Sequence, residues 1–240
     1  MSVFVISDLH LSCASDHPMD IFGSRWHGYT ERLCKNWRAI VDKDDTVIIP
    51  GDVSWAMHLL EAKADFSLLE SLPGTKYLGK GNHDFWWETA AKMNRFFNEN
   101  SVSSLRLLYN NAYVIEDYII CGTRGWFLEE EQQQTVGTVD YDKIVNREVM
   151  RLKLSLDAAM SLRQGENINK EILVFLHFPP IWNGFECREI LDLLQSYGIK
   201  RCYHGHIHGV YTTPAIRQIG DLSLQMISSD FLNFCPLLIK

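Results

Sequence analysis

The chain is poor in the features that mark secreted, membrane-spanning or charge-driven nucleic-acid-binding proteins. Its six cysteines (Cys13, Cys34, Cys121, Cys187, Cys202 and Cys235) occur singly and show no CxxC spacing. At 240 residues a disulfide framework is not expected, so they read as free thiols in a reducing compartment. In the opening "MSVFVISDLHLS" the apolar run is only four residues long, with Asp8 two positions beyond it. A signal peptide needs a basic start, a longer apolar stretch and a small-residue cleavage site. No run approaches the roughly 18 apolar residues of a membrane span. The expectation is a cytoplasmic protein with no membrane partner. Basic residues are outnumbered, 23 against 30 acidic, for a net charge of −7. That disfavours binding nucleic acid through bulk charge, while leaving room for a local basic groove. No repeat and no linker rich in Pro, Gly or Ser interrupts the chain, which reads as one domain over 1–240.

What the chain does have is material for a core: 46% of its residues are hydrophobic and 12% aromatic. Apolar β-type runs alternate with helical patterns, which predicts a layered α/β fold. "VFVI" (3–6), "TVIIP" (46–50), "KYLGK" (76–80), "EILVFL" (171–176) and "RCY" (201–203) read as strands. "YVIEDYIICG" (113–122) reads as a hairpin turning near Glu116 and Asp117, and "DLSLQMISS" (221–229) as a half-exposed strand. Helical spacing links Tyr29, Leu33, Trp37 and Ile40. It also links Leu59, Ala62, Phe66 and Leu69, with Pro73 and Gly74 as a stop. The longest helical pattern runs from Val145 to Ala159, and another from Ile190 to Tyr197 is followed by Gly198 as a C-terminal cap. The polar stretch "FLEEEQQQTVGTVD" (127–140), with the helix after it to about 165, is a candidate lid over one face.

Chemistry-bearing residues collect where the apolar runs stop. Asp8 and His10 follow the first run, Gly51 and Asp52 the second, and "GNHDFWW", with Asn82, His83 and Asp84, the third. The fourth ends at His177 and the fifth in "CYHGHIHG", which carries His204, His206 and His208. Ligands of open α/β sheets bind beyond the carboxyl ends of the strands, where loops converge. Five such ends therefore point to one site. Six of the nine histidines lie in these stretches, leaving only His17, His27 and His58 elsewhere. In extended backbone His206 and His208 would project to one side, as would Asp8 and His10. Mixed nitrogen and oxygen donors disfavour calcium and magnesium and suit manganese, iron or zinc. Asp8, His10, Asp52, Asn82, His177, His206 and His208 are too many for one four-coordinate ion. Two divalent ions sharing a bridging carboxylate would use them all, as in many phosphoryl-transfer sites, and their excess positive charge suits a phosphate ester.

The order Asp-x-His, Gly-Asp, Gly-Asn-His-Asp, His, Gly-His-x-His, complete from Asp8 to His208, resembles the signature of the calcineurin-like metallophosphoesterases. The resemblance implies two facing mixed β-sheets in a sandwich flanked by helices, with a dimetal site at the carboxyl ends of the strands. It implies that Asp8, His10 and His208 hold one ion, that Asn82, His177 and His206 hold the other, and that Asp52 bridges them. His83 corresponds to the catalytic histidine that binds phosphate and protonates the leaving oxygen, and Asp84 to its carboxylate partner. The implied reaction is in-line attack on phosphorus by a metal-bridging hydroxide. The substrate would be a small soluble phosphodiester or phosphomonoester, with a nuclease or a catalytically silent scaffold as the alternatives. The arginines that follow these blocks in eukaryotic serine/threonine phosphatases are missing from "GDVSWAM" and "GNHDFWW", which argues against a protein phosphatase. Arg124 of "TRGW" is a candidate replacement, and Trp87 and Trp126 are candidate substrate contacts. His204 has no role in the signature and reads as a structural histidine.

Overall fold

The structure is a computed structural model and describes residues 1–14, 19–126 and 141–240, with the backbone alone at 20 and 141. Residues 127–140 of the candidate lid lie outside the described residues. Short, largely apolar runs form the parallel strands. β1 (Val3–Val5), β2 (Thr46–Ile49), β3 (Thr75–Leu78) and β4 (Leu105–Leu107) lie side by side in parallel. The last strand, β13 (Leu237–Leu238), pairs antiparallel on the outer edge of β1. A second sheet takes β5 (Asn111–Ile115), β6 (Tyr118–Thr123), β7 (Glu171–Leu176), β10 (Arg201–His204), β11 (Ile216–Ile219) and β12 (Leu222–Met226), in the order β11-β12-β10-β7-β6-β5. Its centre is parallel and both edges are antiparallel. β8 (Ile181–Trp182) and β9 (Phe185–Glu186) make a small separate hairpin.

Alternation along the strands sets the layers. Val3 and Val5 of β1 meet Leu173 and Phe175 of β7 between the two sheets, whereas Phe4 points outward. There it joins Leu33 and Trp37 of α1 (Tyr29–Ile40), Phe66 and Leu69 of α2 (Lys63–Glu70), and Met93 and Phe97 of α3 (Ala90–Glu99). On the far side Ile172 and Val174 pack against Leu152 and Leu156 of α4 (Tyr141–Leu162) and Ile190 and Leu194 of α5 (Arg188–Ser196). Each such side chain contributes about 1.5–3 kcal/mol by leaving water. The two mixed sheets face each other between helical layers, as expected.

Local departures from the expectation have physical reasons. The helix anticipated from Leu59 begins at Lys63, because residues 58–61 form turns whose carbonyls accept from Glu61 and Ala62. α3, β4, β11 and β13 were not among the expected elements, although α3 sets Met93, Phe96 and Phe97 at helical spacing. The hairpin turns at Glu116 and Asp117, with Glu116 at a φ of 49°. Gly198, at a φ of 67°, follows α5 as its cap. At the carboxyl end of the sandwich the sheets are joined directly: the Ser7 N–H donates to Ile227 O at 2.8 Å, and the Ser229 N–H to Ser7 O at 2.9 Å. This seam fixes the loops of one sheet against those of the other.

Candidate metal centre

Backbone comes first. β1 and β2 keep pairing beyond their ends: the Asp8 N–H donates to Gly51 O at 3.0 Å, and the His10 N–H to Asp52 O at 2.9 Å. Asp8, His10, Asp52 and His206 all lie in the left-handed region, at φ of 60°, 46°, 49° and 70°. A non-glycine residue enters that region at a cost of about 1–3 kcal/mol. The extended geometry expected for His206 and His208 is not adopted, since β10 stops at His204 and the chain turns left-handed at His206. The two imidazoles consequently join different groups. Glycine allows the closest approaches. A Cβ on Gly81 would lie 2.0 Å from Asp52 Oδ1, and one on Gly205 would lie 2.2 Å from Asp8 Oδ2.

Two groups of ligand-type atoms result. Asp8, His10 and His208 form one, and Asp52, His177 and His206 the other, with the atoms of each lying within 4.8 Å of one another. Asn82 Oδ1 joins the second group, 2.7 Å from His177 Nε2. Asp52 Oδ2 stands between the groups, 3.6 Å from His10 Nε2 and 3.5 Å from His177 Nε2. The other Asp52 oxygen accepts from the His83 N–H at 2.8 Å. Asp52 Oδ2, His10 Nδ1 and His177 Nδ1 are buried with no hydrogen-bond partner. Native interiors rarely leave such atoms orphaned. The buried Asp52 lone pair, with no donor facing it and the Nε2 atoms of His10 and His177 turned towards it, fits a bound divalent cation, so the residues present suit the two-ion centre.

Electrostatics agree. Burial pushes Asp8 up to about 6 against the pull of His208. Burial, and then the nearby charges of Asp84 and Asp8, push Asp52 well above the usual carboxylate range. Burial and neighbouring imidazoles hold His10 and His177 well below the ordinary histidine value, and His206 down at about 3. Neutral imidazoles beside carboxylates short of counter-charge form a cation site in both donor chemistry and charge.

A model of the calcineurin-like phosphoesterase family matches residues 1–210. The chain belongs to that family. It is therefore a metal-dependent phosphoesterase in the general sense. Among curated proteins none matches. Solved structures similar to this calcineurin-like phosphoesterase include a protein of unknown function from Aquifex aeolicus, at 14% identity and TM-score 0.50 over 99% of this chain and 95% of that one. A second, the protein TT1561 of Thermus thermophilus, is 11% identical, with TM-score 0.57 over 99% and 97% of the two chains. The phosphopantetheinyl hydrolase of Mycobacterium tuberculosis is 14% identical, with TM-score 0.52 over 95% and 88%. At these identities the likeness is one of fold.

The other residues singled out in the sequence of this phosphoesterase fall in distinct places. The His83 ring lies 4.4 Å from that of Trp55 and 5.6 Å from that of His10, and it lines a cleft of about 390 Å³ with His10, Asp52, His206 and His208. Burial, then His208, lowers its pKa. Asp84 is not the partner of the His83 ring. Its carboxylate accepts from the N–H groups of Asp52, Val53, Ser54 and Gly81 and from Trp86 Nε1, and so ties the Gly-Asp loop to the Gly-Asn-His-Asp loop. Arg124 follows β6, and its carbonyl accepts from the N–H groups of His177 and Phe178. Trp87 packs on the first outer core and Trp126 on the second, beside Phe178. His204 belongs to neither ligand group; its Nδ1 lies 3.2 Å from Gly205 O, and burial holds it down at about 4.

One residue was missed, and a second could be placed from the sequence only beside the site loops. Asp230 Oδ1 lies 2.9 Å from His208 Nδ1, and its other oxygen accepts from the Gly209 N–H and the Tyr211 hydroxyl. Burial alone would lower His208, but the bond to Asp230 and the charges of Asp8 and Asp230 together outweigh it and the pKa is raised. Trp55 stacks on His10 with ring centres 5.0 Å apart. Asp230 lies in no recognisable motif. Trp55 ends the "GDVSW" stretch three residues beyond Asp52, which places it beside the site but does not give its partner.

Proposed function

We propose that the protein hydrolyses a small phosphate ester, with one divalent ion held by Asp8, His10 and His208 and a second by Asn82, His177 and His206. Asp52 would bridge them. The observation that carries this reading is Asp52 Oδ2, buried, without a hydrogen-bond partner and within 3.6 Å of a histidine from each group. When bound, the ions supply Lewis-acid stabilisation of charge at phosphorus and a water of lowered pKa as nucleophile. The chain's own groups do the rest. Asp8 and Asp52 offset only part of the ions' charge, leaving an excess that draws in the ester. His83, pinned to Asp52 through its backbone N–H, presents its ring to the cleft and gives a proton to the leaving oxygen. Asp84 acts through the loops it ties together rather than as an acid or base.

The cleft beside His83 is walled by Met19, Phe22, Trp26 and Trp55. Its volume of about 390 Å³ lies at the small end of ligand pockets. Size, apolar lining and the acidic balance of the chain favour a small ester with an apolar or planar leaving group over a polynucleotide. The donor set favours manganese, iron or zinc. The test is the initial rate on bis-p-nitrophenyl phosphate relative to p-nitrophenyl phosphate with manganese added. Preference for the first assigns a phosphodiesterase, and preference for the second a phosphatase that needs the dianion. The structural relative described as a phosphopantetheinyl hydrolase makes phosphopantetheine esters a rational part of the next panel. No turnover of either ester by protein with two ions bound would overturn the catalytic reading in favour of a binding scaffold.

A further inference from the structure

Beyond the ligand groups, on the side of Asn82 and His177, lies a concentration of positive charge that the metal centre does not use. Arg124, Arg147 and Arg151 converge on one oxygen of Glu148, at 3.7, 3.8 and 2.5 Å. Glu148 is fully buried, and its second oxygen has no partner. Lys80, two residues before Asn82, makes no ion pair among the described residues and lies within electrostatic reach of Arg124 and Arg151. Asp84, a carboxylate also within its reach, already has its oxygens filled by N–H donors. Among the described residues four cations thus share one carboxylate, the buried Glu148, in a chain whose net charge is −7. A cluster so unbalanced and half-withdrawn from water calls for an anion.

There is room for one. Lys80, Trp87 and Tyr109 line a cavity of about 440 Å³, and the Arg151 guanidinium sits 5.9 Å over the Tyr109 ring. Glu88 at the rim is already paired with Lys92 at 3.0 Å. The cavity adjoins the centre. Lys80 and Asn82 are at most roughly 7 Å apart along the chain, and the Phe178 ring lies between the Arg124 guanidinium, at 5.7 Å, and the His206 ring, at 4.6 Å.

We propose that this cluster is a second anion subsite, which receives a phosphate group carried by the substrate away from the scissile one. The inference rests on the phosphoesterase reading above and adds a substrate class, small molecules bearing two phosphoryl groups. Guanidinium groups match phosphate oxygens in pairs, and the Lys80 ammonium adds a point charge.

The test compares hexane-1,6-diol bisphosphate with hexyl phosphate as inhibitors of the manganese-loaded protein, using whichever p-nitrophenyl ester it turns over. The bisphosphate should bind about 10-fold or more tightly, beyond the roughly twofold that two equivalent ends give. Lys80→Met and Arg151→Met should each collapse that ratio towards two. Arg147→Gln, at a more exposed position, should lower it in a variant whose fold is not in doubt. A ratio near two in the wild type, or one unchanged in all three variants, overturns the proposal. So does a single-stranded oligonucleotide that competes better than the bisphosphate, since that assigns the cluster to a nucleic-acid strand. Calorimetric titration of the same two ligands into the manganese-loaded protein needs no turnover, so the subsite and the catalytic reading can fail separately.

Discussion

The two halves of the centre are built from similar donors in opposite surroundings. Asp8, His10 and His208 stand among aromatic rings, with Trp55 stacked on His10 and Trp26 edge-on to both histidines. Their orientation is set from behind by Asp230 and by Ser229, whose hydroxyl donates to Asp8 O at 2.6 Å. The rings of His177 and His206 pack on Phe178, and the Arg124 guanidinium lies beyond it. One half is stiffened and walled by aromatic rings, while the other opens towards positive charge. A substrate lying across both would have its apolar end over the first half and its anionic end over the second.

Removing His83 tests where the leaving group sits. His83→Ala should lower turnover about 10²- to 10⁴-fold, with both ions retained when metal content is measured. A fully active variant would remove the reason for placing the leaving group against Trp55. Asp230→Ala acts on the first half alone. Losing the carboxylate behind a metal-bound histidine costs about 10- to 100-fold in metal affinity, so one equivalent of manganese should weaken and the other hold in a calorimetric titration. Equal weakening of both would show that the halves are not independent.

A milder contrast appears with pH. A proton competes with a cation for the same lone pair, and the group with the higher metal-free pKa is lost first as pH falls. Asp8 at about 6 and His208 above its ordinary value belong to the first half, whereas His206 at about 3 and His177, held well below, belong to the second. Asp52, pushed well above the usual carboxylate range, would serve both ions alike as their bridge. Between pH 8 and pH 5 the first-half ion should therefore lose affinity by about 10-fold more than the other. Parallel loss in pH-dependent titrations would erase the asymmetry. Trp55→Ala should have the smallest effect, raising KM for aromatic esters about 2- to 10-fold, in line with the worth of a ring contact, with little change for methyl esters.

Much of this was legible before folding was considered, and the reason is local. Asp8, Asp52, Asn82, His177 and His206 each stand just past a short apolar run, so one rule about strand ends gathers them. The sandwich itself was read from the family signature, and its two-sided burial is visible in runs such as "EILVFL" once both sheets are known. What escaped depends on distant chain. Asp230 reaches His208 only because β12 brings the backbone back beside β10. α3 does carry a stripe, with Met93, Phe96 and Phe97 at helical spacing, but it is a short one among polar residues and went unread. Asp84 carried the right motif and a different task, because its burial beneath the loops gave it five N–H donors before it could serve a histidine. The cationic cluster joins Lys80, Arg124 and residues of α4 that only tertiary structure brings together.

The left-handed backbone at Asp8, His10, Asp52 and His206 has a consequence for heredity. Glycine, or in places asparagine, would hold those conformations more cheaply and would also remove carboxylates that repel one another. Such replacements lie one or a few base changes away and would make the fold sturdier. A lineage that kept this chain only for its shape would drift towards them, because nothing would stand in the way. Two aspartates and two histidines held in that posture, at about 1–3 kcal/mol each, are a cost that shape alone does not require.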